Sequence, residues 1–351
     1  MYRNKNVSLY KRKIKTRSAE DFSNIKDLEI NSDNLSNDLK EHSNELNVIT
    51  KGINFDFADR KVITNEVSKV MSLYDESRAL KIKNCGDFIM FESGLVSKKT
   101  KLTFANFCRE RMCPMCQWRK SRKLYSQICN VTDLLSERGN YRYLFLTLTV
   151  KNVSKDELDS SISHLFKSWT KLSRRKEFKN NILGYFRNLE VTYNLGRDDY
   201  HPHFHCLMVV KSSYFNGKNY IKHDKWQSLW KECADLDYNP QVNIKLVEQN
   251  KHRKDVSEVA KYAIKANNFL LNDNNKSAEI MKTMQIALKG RRLTTFSGLF
   301  SKAMKELKET EDIDNANLTD NRIIEIKDEP IAKTLFRWNN GIKLYQLQRI
   351  E

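Results

Sequence analysis

The chain has 351 residues and a formal net charge of +18, with 62 lysines and arginines against 44 aspartates and glutamates. That length allows two or three domains with real cores; no apolar run is long enough to span a bilayer, and Met1 to Lys15 is too charged to read as a signal peptide. The chain therefore reads as a soluble, cytoplasmic protein, and its cations, spread through most of the sequence, favour a polyanionic partner, nucleic acid ahead of a membrane surface.

Residues 1–60 are rich in Asn, Ser, Asp, Glu and Lys without a sustained period, which reads as a flexible polar extension. Residues 61–140 read as a helical segment carrying cysteines. A helical spacing runs from Ile63 to Leu80, and Trp118 to Leu135 forms a long helix closed by Arg138-Gly139-Asn140. The basic run Arg119, Lys120, Arg122 and Lys123 at its start is either a solvated face or a nucleic-acid contact. Just before it, Cys113-Pro114-Met115-Cys116 has zinc-knuckle spacing, and Cys108 and Cys85 complete a candidate set of four thiolates for structural Zn2+; unligated buried thiols are the alternative. Cys129, Cys206 and Cys233 read as small core residues.

Residues 141–272 carry the clearest order of elements. Arg142 to Val150 is a strand, and Ser154-Lys155-Asp156-Glu157 is a capping box opening a helix to about Lys179. Ile182 to Tyr193 is a second strand, Asn194 to Tyr200 a loop, and His201 to Val210 a third strand. Asp224 to Leu236 then reads as a helix, Val242 to Val247 as a strand and Asp255 to Phe269 as a helix. The order β-α-β-β-α-β-α predicts an α+β protein built on a ferredoxin-like split βαβ antiparallel sheet with helices on one face. Residues 273–351 read as a mostly helical C-terminal region.

Two sets of residues carry chemistry. His201, His203 and His205 alternate, so they share a strand face with imidazoles about 7 Å apart, close enough to grip one metal ion if another strand adds a ligand. In the split βαβ order the preceding strand brings Glu190 roughly across from His205; His201 is the other candidate for third ligand. Downstream, helical spacing puts Glu258, Tyr262 and Lys265 on one face, away from the stripe Val256, Val259, Ala260, Ala263 and Ile264. A phenolate there can attack phosphorus while Lys265 stabilises the developing charge. Glu258 also fits the third position of a capping box begun by Asp255.

These residues resemble the plasmid rolling-circle replication initiators of the HUH endonuclease superfamily. The likeness covers Cys85 to Phe269 and rests on Phe145-Leu146-Thr147-Leu148-Thr149, Leu189-Glu190-Val191-Thr192, His201-Pro202-His203-Phe204-His205 and the segment Glu258 to Lys265. In relaxases of the superfamily the nucleophile precedes the histidines; here the tyrosine follows them, as in replication initiators. The resemblance implies that His203 and His205 bind Mn2+ or Mg2+. It also implies that Tyr262 nicks one strand of plasmid origin DNA, single-stranded or in a hairpin, becoming linked to the 5′ phosphate and freeing a 3′ hydroxyl. Related viral initiators carry a second tyrosine one turn earlier, where this chain has Glu258; a carboxylate there can serve as general base for water and close the cycle by hydrolysis. A host helicase and polymerase, and a homodimer, are the further partners expected. No Gly-rich phosphate loop is visible, consistent with a nick that conserves bond energy in the tyrosyl ester. A transposase of the same superfamily and a non-catalytic zinc-containing DNA-binding protein are the alternatives.

Overall fold

The strand and helix patterns are realised as a mixed α+β architecture of antiparallel sheets. The computed structural model describes residues 57–216, 220–248, 252–260, 265–307, 318–320 and 324–350. Residues 1–56, which hold most of the expected polar extension, and residues 261–264, which include Tyr262, lie outside the described residues. The chain divides into two compact units: Met1–Glu66, Ile82–Cys108 and Thr319–Glu351 make one, and Val67–Lys81 with Arg109–Leu318 the other.

The second unit is built on five strands, β3 (Tyr141–Thr149), β4 (Gly184–Asn194), β5 (Asp199–Lys211), β6 (Val242–Leu246) and β7 (Thr294–Gly298), in the order β6-β3-β5-β4-β7. Every neighbouring pair is antiparallel. Central strand β5 explains a departure from expectation. Cys206 to Val210 is a continuous apolar run, and all five residues are buried, so both faces of the sheet are covered and not one.

On the first face lie α4 (Leu158–Arg174), α5 (Lys176–Asn181) and α6 (His223–Cys233), where the rings of Phe166 and Trp169 pack edge-on to Phe204 at 5.4 and 5.9 Å. Trp226 and Trp230 are fully buried there, and the Trp230 indole donates to the Thr149 carbonyl at 2.8 Å. On the second face, Phe145, Phe186, Leu207 and Val209 form a core with residues of α3 (Pro114–Arg138), α7 (His252–Val259) and α9 (Leu299–Glu306). Each such side chain contributes about 1.5–3 kcal/mol on leaving water.

Four further elements differ from the sequence reading. The helix expected from Ser154 to Lys179 is split by Arg175, whose backbone is extended at φ −60°, ψ 145°. The Ser154–Glu157 pair does form, with Glu157 Oε2 accepting from the Ser154 amide at 3.1 Å and hydroxyl at 2.7 Å, but the helix itself begins at Leu158. The 61–140 segment holds two strands, β1 (Phe88–Gly94) and β2 (Thr100–Ala105), besides α1 (Asp59–Met71), α2 (Glu76–Lys83) and α3. The C-terminal region combines α8 (Asn274–Leu288) and α9 with β7, β8 (Ile331–Asn339) and β9 (Leu344–Ile350). Its strand β7 pairs with β4 where two glycines face each other: Gly298 has φ +57°, and a Cβ on Gly184 would come within 2.6 Å of the Leu299 nitrogen.

The first unit is a four-stranded sheet in the order β2-β1-β8-β9. Along β8 the buried residues Thr334, Phe336 and Trp338 alternate with partly or fully exposed ones, the period of a one-faced strand. Ile89, Phe91, Leu102, Phe336 and Tyr345 fill its inner face together with Phe57. Lys61 is wholly buried and ties α1 to the start of β1, donating to the Cys85 carbonyl at 2.9 Å and pairing with Asp87 at 2.6 Å.

Candidate metal centre

Strand pairing brings the expected ligands together. The β4–β5 loop shrinks to Leu195–Asp198, closed by Asp198 at φ +54° and by the Tyr193 hydroxyl on Asp198 at 2.6 Å. In the resulting register Glu190 faces His203 and Asn188 faces His205, two residues away from the expected Glu190–His205 pairing. Glu190 still reaches both rings: its Oε2 lies 3.1 Å from His205 Nε2 and 3.6 Å from His203 Nε2, and the two Nε2 atoms are 3.2 Å apart. All three side chains are buried, and their candidate ligand atoms lie within 4.8 Å of one another.

The other ring nitrogens fix what these atoms can do. His203 Nδ1 lies 3.0 Å from the His201 carbonyl oxygen, which can only accept, so Nδ1 carries the proton and Nε2 presents a lone pair. His205 Nδ1 lies 3.2 Å from Thr147 Oγ1, whose strand position is directly opposite His205 on β3. With Nδ1 donating to Thr147, the His205 Nε2 lone pair also faces the cluster. Two imidazole nitrogens and a carboxylate oxygen converging on one buried point match the donor set of a divalent cation and leave further coordination positions for other oxygens. His201 falls outside this group. Its ring stacks on His203 with centroids 4.9 Å apart, its Nδ1 is buried without a partner, and burial holds its pKa down to about 4.

Lys265 joins the site by a route that helical spacing does not describe. Helix α7 ends at Val259, and the backbone of Lys265 is extended at φ −98°, ψ 138°, so the helix expected to reach Phe269 does not run through it. The carbonyl of the last helical residue and the one after it accept from side chains: Asn188 donates to Val259 at 3.1 Å and Ser121 to Ala260 at 2.7 Å. Lys265 Nζ instead pairs with Glu190 Oε1 at 2.6 Å, leaving Oε2 to the histidines. Burial pushes the Glu190 carboxyl up, but donation from the His203 and His205 Nε2 atoms when those carry a proton, together with the Lys265 ammonium, outweighs it and holds the group well below the usual carboxylate range. Glu258 sits half-buried in the last turn of α7, which Lys245 anchors through Asp255 at 2.6 Å. Thr147, Asn188 and Lys245 were not singled out from sequence; for Thr147 the signal was its place on the His205 face of the Phe145–Thr149 strand.

The cysteines and the basic run behave differently. Cys113 precedes α3 and Cys116 lies in its first turn; both are fully buried, and the Arg109 amide donates to Cys116 Sγ at 3.2 Å. In the other unit the Cys108 amide donates to Cys85 Sγ at 3.4 Å. Cys129, Cys206 and Cys233 are buried, as small core residues should be. Of the four cations opening the Trp118 helix, Arg119, Lys120 and Lys123 are buried and Arg122 alone is exposed, so the run is not a solvated basic face.

An antiparallel sheet presenting two imidazoles, each held at its Nδ1, and a carboxylate at one buried point defines an α+β protein with a candidate divalent-cation centre. The family follows from comparison with known proteins: the model of the Replication protein family, Rep, matches residues 99–346. "Protein rep" of Lactiplantibacillus plantarum is 33% identical over 284 residues, 78% of this chain and 87% of that protein. The "Protein rep" chains of Bacillus amyloliquefaciens and Streptococcus pneumoniae are 35% and 36% identical, over 78% and 76% of this chain and 86% and 84% of theirs. No solved structure is a significant match. The chain belongs to the Rep family of replication proteins, the plasmid replication initiators that its histidine and tyrosine motifs resemble.

Proposed function

We propose that this chain starts rolling-circle replication by nicking one strand of plasmid origin DNA as a metal-dependent HUH endonuclease. The observation that carries the reading is the convergence of His203 Nε2, His205 Nε2 and Glu190 Oε2, with each imidazole held by its Nδ1. These three residues would hold Mn2+ or Mg2+, which supplies charge to polarise the scissile phosphate. The strand order, in which the fourth, first, third and second strands of the β-α-β-β-α-β series lie side by side, supports the ferredoxin-like reading of the sheet.

In the proposed reaction the Tyr262 oxygen attacks phosphorus, and the bond from phosphorus to the 3′ oxygen breaks. The phenol's proton is lost and the freed 3′ oxygen gains one, leaving a 5′-phosphotyrosine and a 3′ hydroxyl that a host helicase and polymerase can extend. Lys265, on the outer oxygen of Glu190, neutralises the carboxylate and adds positive charge beside the phosphate. Glu258 is the proposed base for the water that ends the cycle. Structural Zn2+ belongs to the same reading, supported by the amides that donate to the sulfurs of Cys85 and, in the other unit, of Cys116, contacts that suit thiolates.

The test is strand-specific nicking of supercoiled origin plasmid. Wild-type protein should nick with Mn2+ and stop with chelator, and His205→Ala should bind DNA without nicking. Full nicking by His205→Ala, or nicking indifferent to chelator, would overturn the proposal.

A further inference from the structure

The outer face of the β2-β1-β8-β9 sheet carries side chains that the nicking chemistry does not use. Strand pairing places Phe104 beside Met90, Met90 beside Leu335, and Phe88 beside Arg337. Phe88 and Phe104 are 38% and 48% exposed although they sit within strands, and Ile331 at the end of β8 is 40% exposed. The two phenylalanines are diagonal neighbours on adjacent strands, positions about 7–8 Å apart by strand geometry, so each ring can take a separate planar partner.

Cations are interleaved with them. The Arg337 guanidinium lies 5.4 Å from the Phe88 ring centre. Lys101 and Lys333 flank Glu92 at 3.1 and 3.9 Å, so the one carboxylate in that row is outnumbered. Beyond Arg337 the face ends in a polar depression lined by Asn339, Asn340, Gln346 and Gln348. Exposed aromatic rings framed by lysine and arginine on a sheet are the chemistry that holds single-stranded nucleic acid: bases stack on rings whatever their sequence, and cations track the phosphates.

We propose that this face is a stacking platform for single-stranded DNA, separate from the histidine centre. Charge complementarity commits it to a polyanion, because the chain carries a net charge of +18 and this face is itself net positive. Membership of a replication-protein family commits it to DNA. The inference does not require the nicking chemistry, since it rests on a different sheet.

The experiment uses the full chain with chelator present, so that no cation-dependent step contributes. Anisotropy of a labelled oligothymidylate reads affinity, and photo-crosslinking with iododeoxyuridine reads location. The double variant Phe88→Ala/Phe104→Ala should bind about tenfold or more weakly, in line with losing two stacked bases. Arg337→Ala should bind severalfold more weakly, with a log-affinity against log-salt slope shallower by about 0.7. Crosslinked peptides should contain Phe88 or Phe104. Should the alanine double variant fail to fold, Phe88→Leu/Phe104→Leu keeps the apolar bulk and removes the rings, and the same tenfold loss is expected. Affinity within twofold of wild type in the folded variant, crosslinks confined to other peptides, or tighter binding of the matching oligouridylate RNA would each overturn the proposal. Nicking of origin plasmid, measured separately with Mn2+, tells failure of this platform from failure of the nicking reading.

Discussion

Replacing Thr147 with valine isolates the feature on which the candidate metal centre depends. Valine keeps the branched Cβ that suits strand β3 but removes the hydroxyl 3.2 Å from His205 Nδ1. The strand pairing of Thr147 with His205 runs through the backbone and is untouched. What is lost is the partner that holds the His205 ring at Nδ1, so Nε2 is no longer presented in one direction. Loss of such an outer partner costs about 10–100-fold in cation affinity, or about 1.4–2.7 kcal/mol. The folded state itself loses a side-chain hydrogen bond worth about 1 kcal/mol. Calorimetric titration with Mn2+ should therefore show a weaker Kd in Thr147→Val, while urea unfolding shows a small drop in midpoint. Unchanged Mn2+ affinity alongside that stability loss would refute the reasoning, because His205 would then be holding its orientation, or the cation, in some other way.

Further outcomes follow from the same geometry. His201→Ala should leave Mn2+ affinity within about twofold of wild type, since His203 Nδ1 donates to the backbone carbonyl at that position and not to the ring; a large loss in the same titration would restore His201 as a ligand. Lys265→Met should slow nicking by about 100-fold without weakening Mn2+ binding, because the ammonium shares Glu190 with the cation site; parallel loss of both in a nicking assay and titration would assign Lys265 a purely structural role. Lys61→Met should lower stability by roughly 2–3 kcal/mol, below the usual cost of breaking a buried pair because Asp87 stays 31% exposed, and urea denaturation reads it directly.

Much of the candidate site was legible because its signals are local. Alternation places His203 and His205 on one face whatever the rest of the chain does, and a short hairpin brings the preceding strand alongside, so Glu190 was found without knowing the register. The register itself depended on the conformation of Leu195–Asp198, where a left-handed Asp198 closes the turn, and this moved the pairing by two residues. The second helical layer was legible and missed, since Cys206 to Val210 does not alternate and so must be buried on both faces. Strands β7 and β8 were hidden for a different reason: they pair with β4 and β1, more than a hundred residues away, and β7 has only five residues in which to show a period. Lys265 was picked for a helical face and arrives by an ion pair instead, from an extended backbone whose conformation depends on tertiary contacts that the local spacing does not show.

The most direct test of the account is covalent capture. The full chain is incubated with Mn2+ and single-stranded origin DNA labelled on the 3′ side of the nick, digested with protease, and the labelled peptide is sequenced by mass spectrometry. The account predicts one adduct, a 5′-phosphate ester on Tyr262, lost in Tyr262→Phe and absent with chelator. Nicked DNA without any protein adduct, or an adduct on another residue, would contradict it.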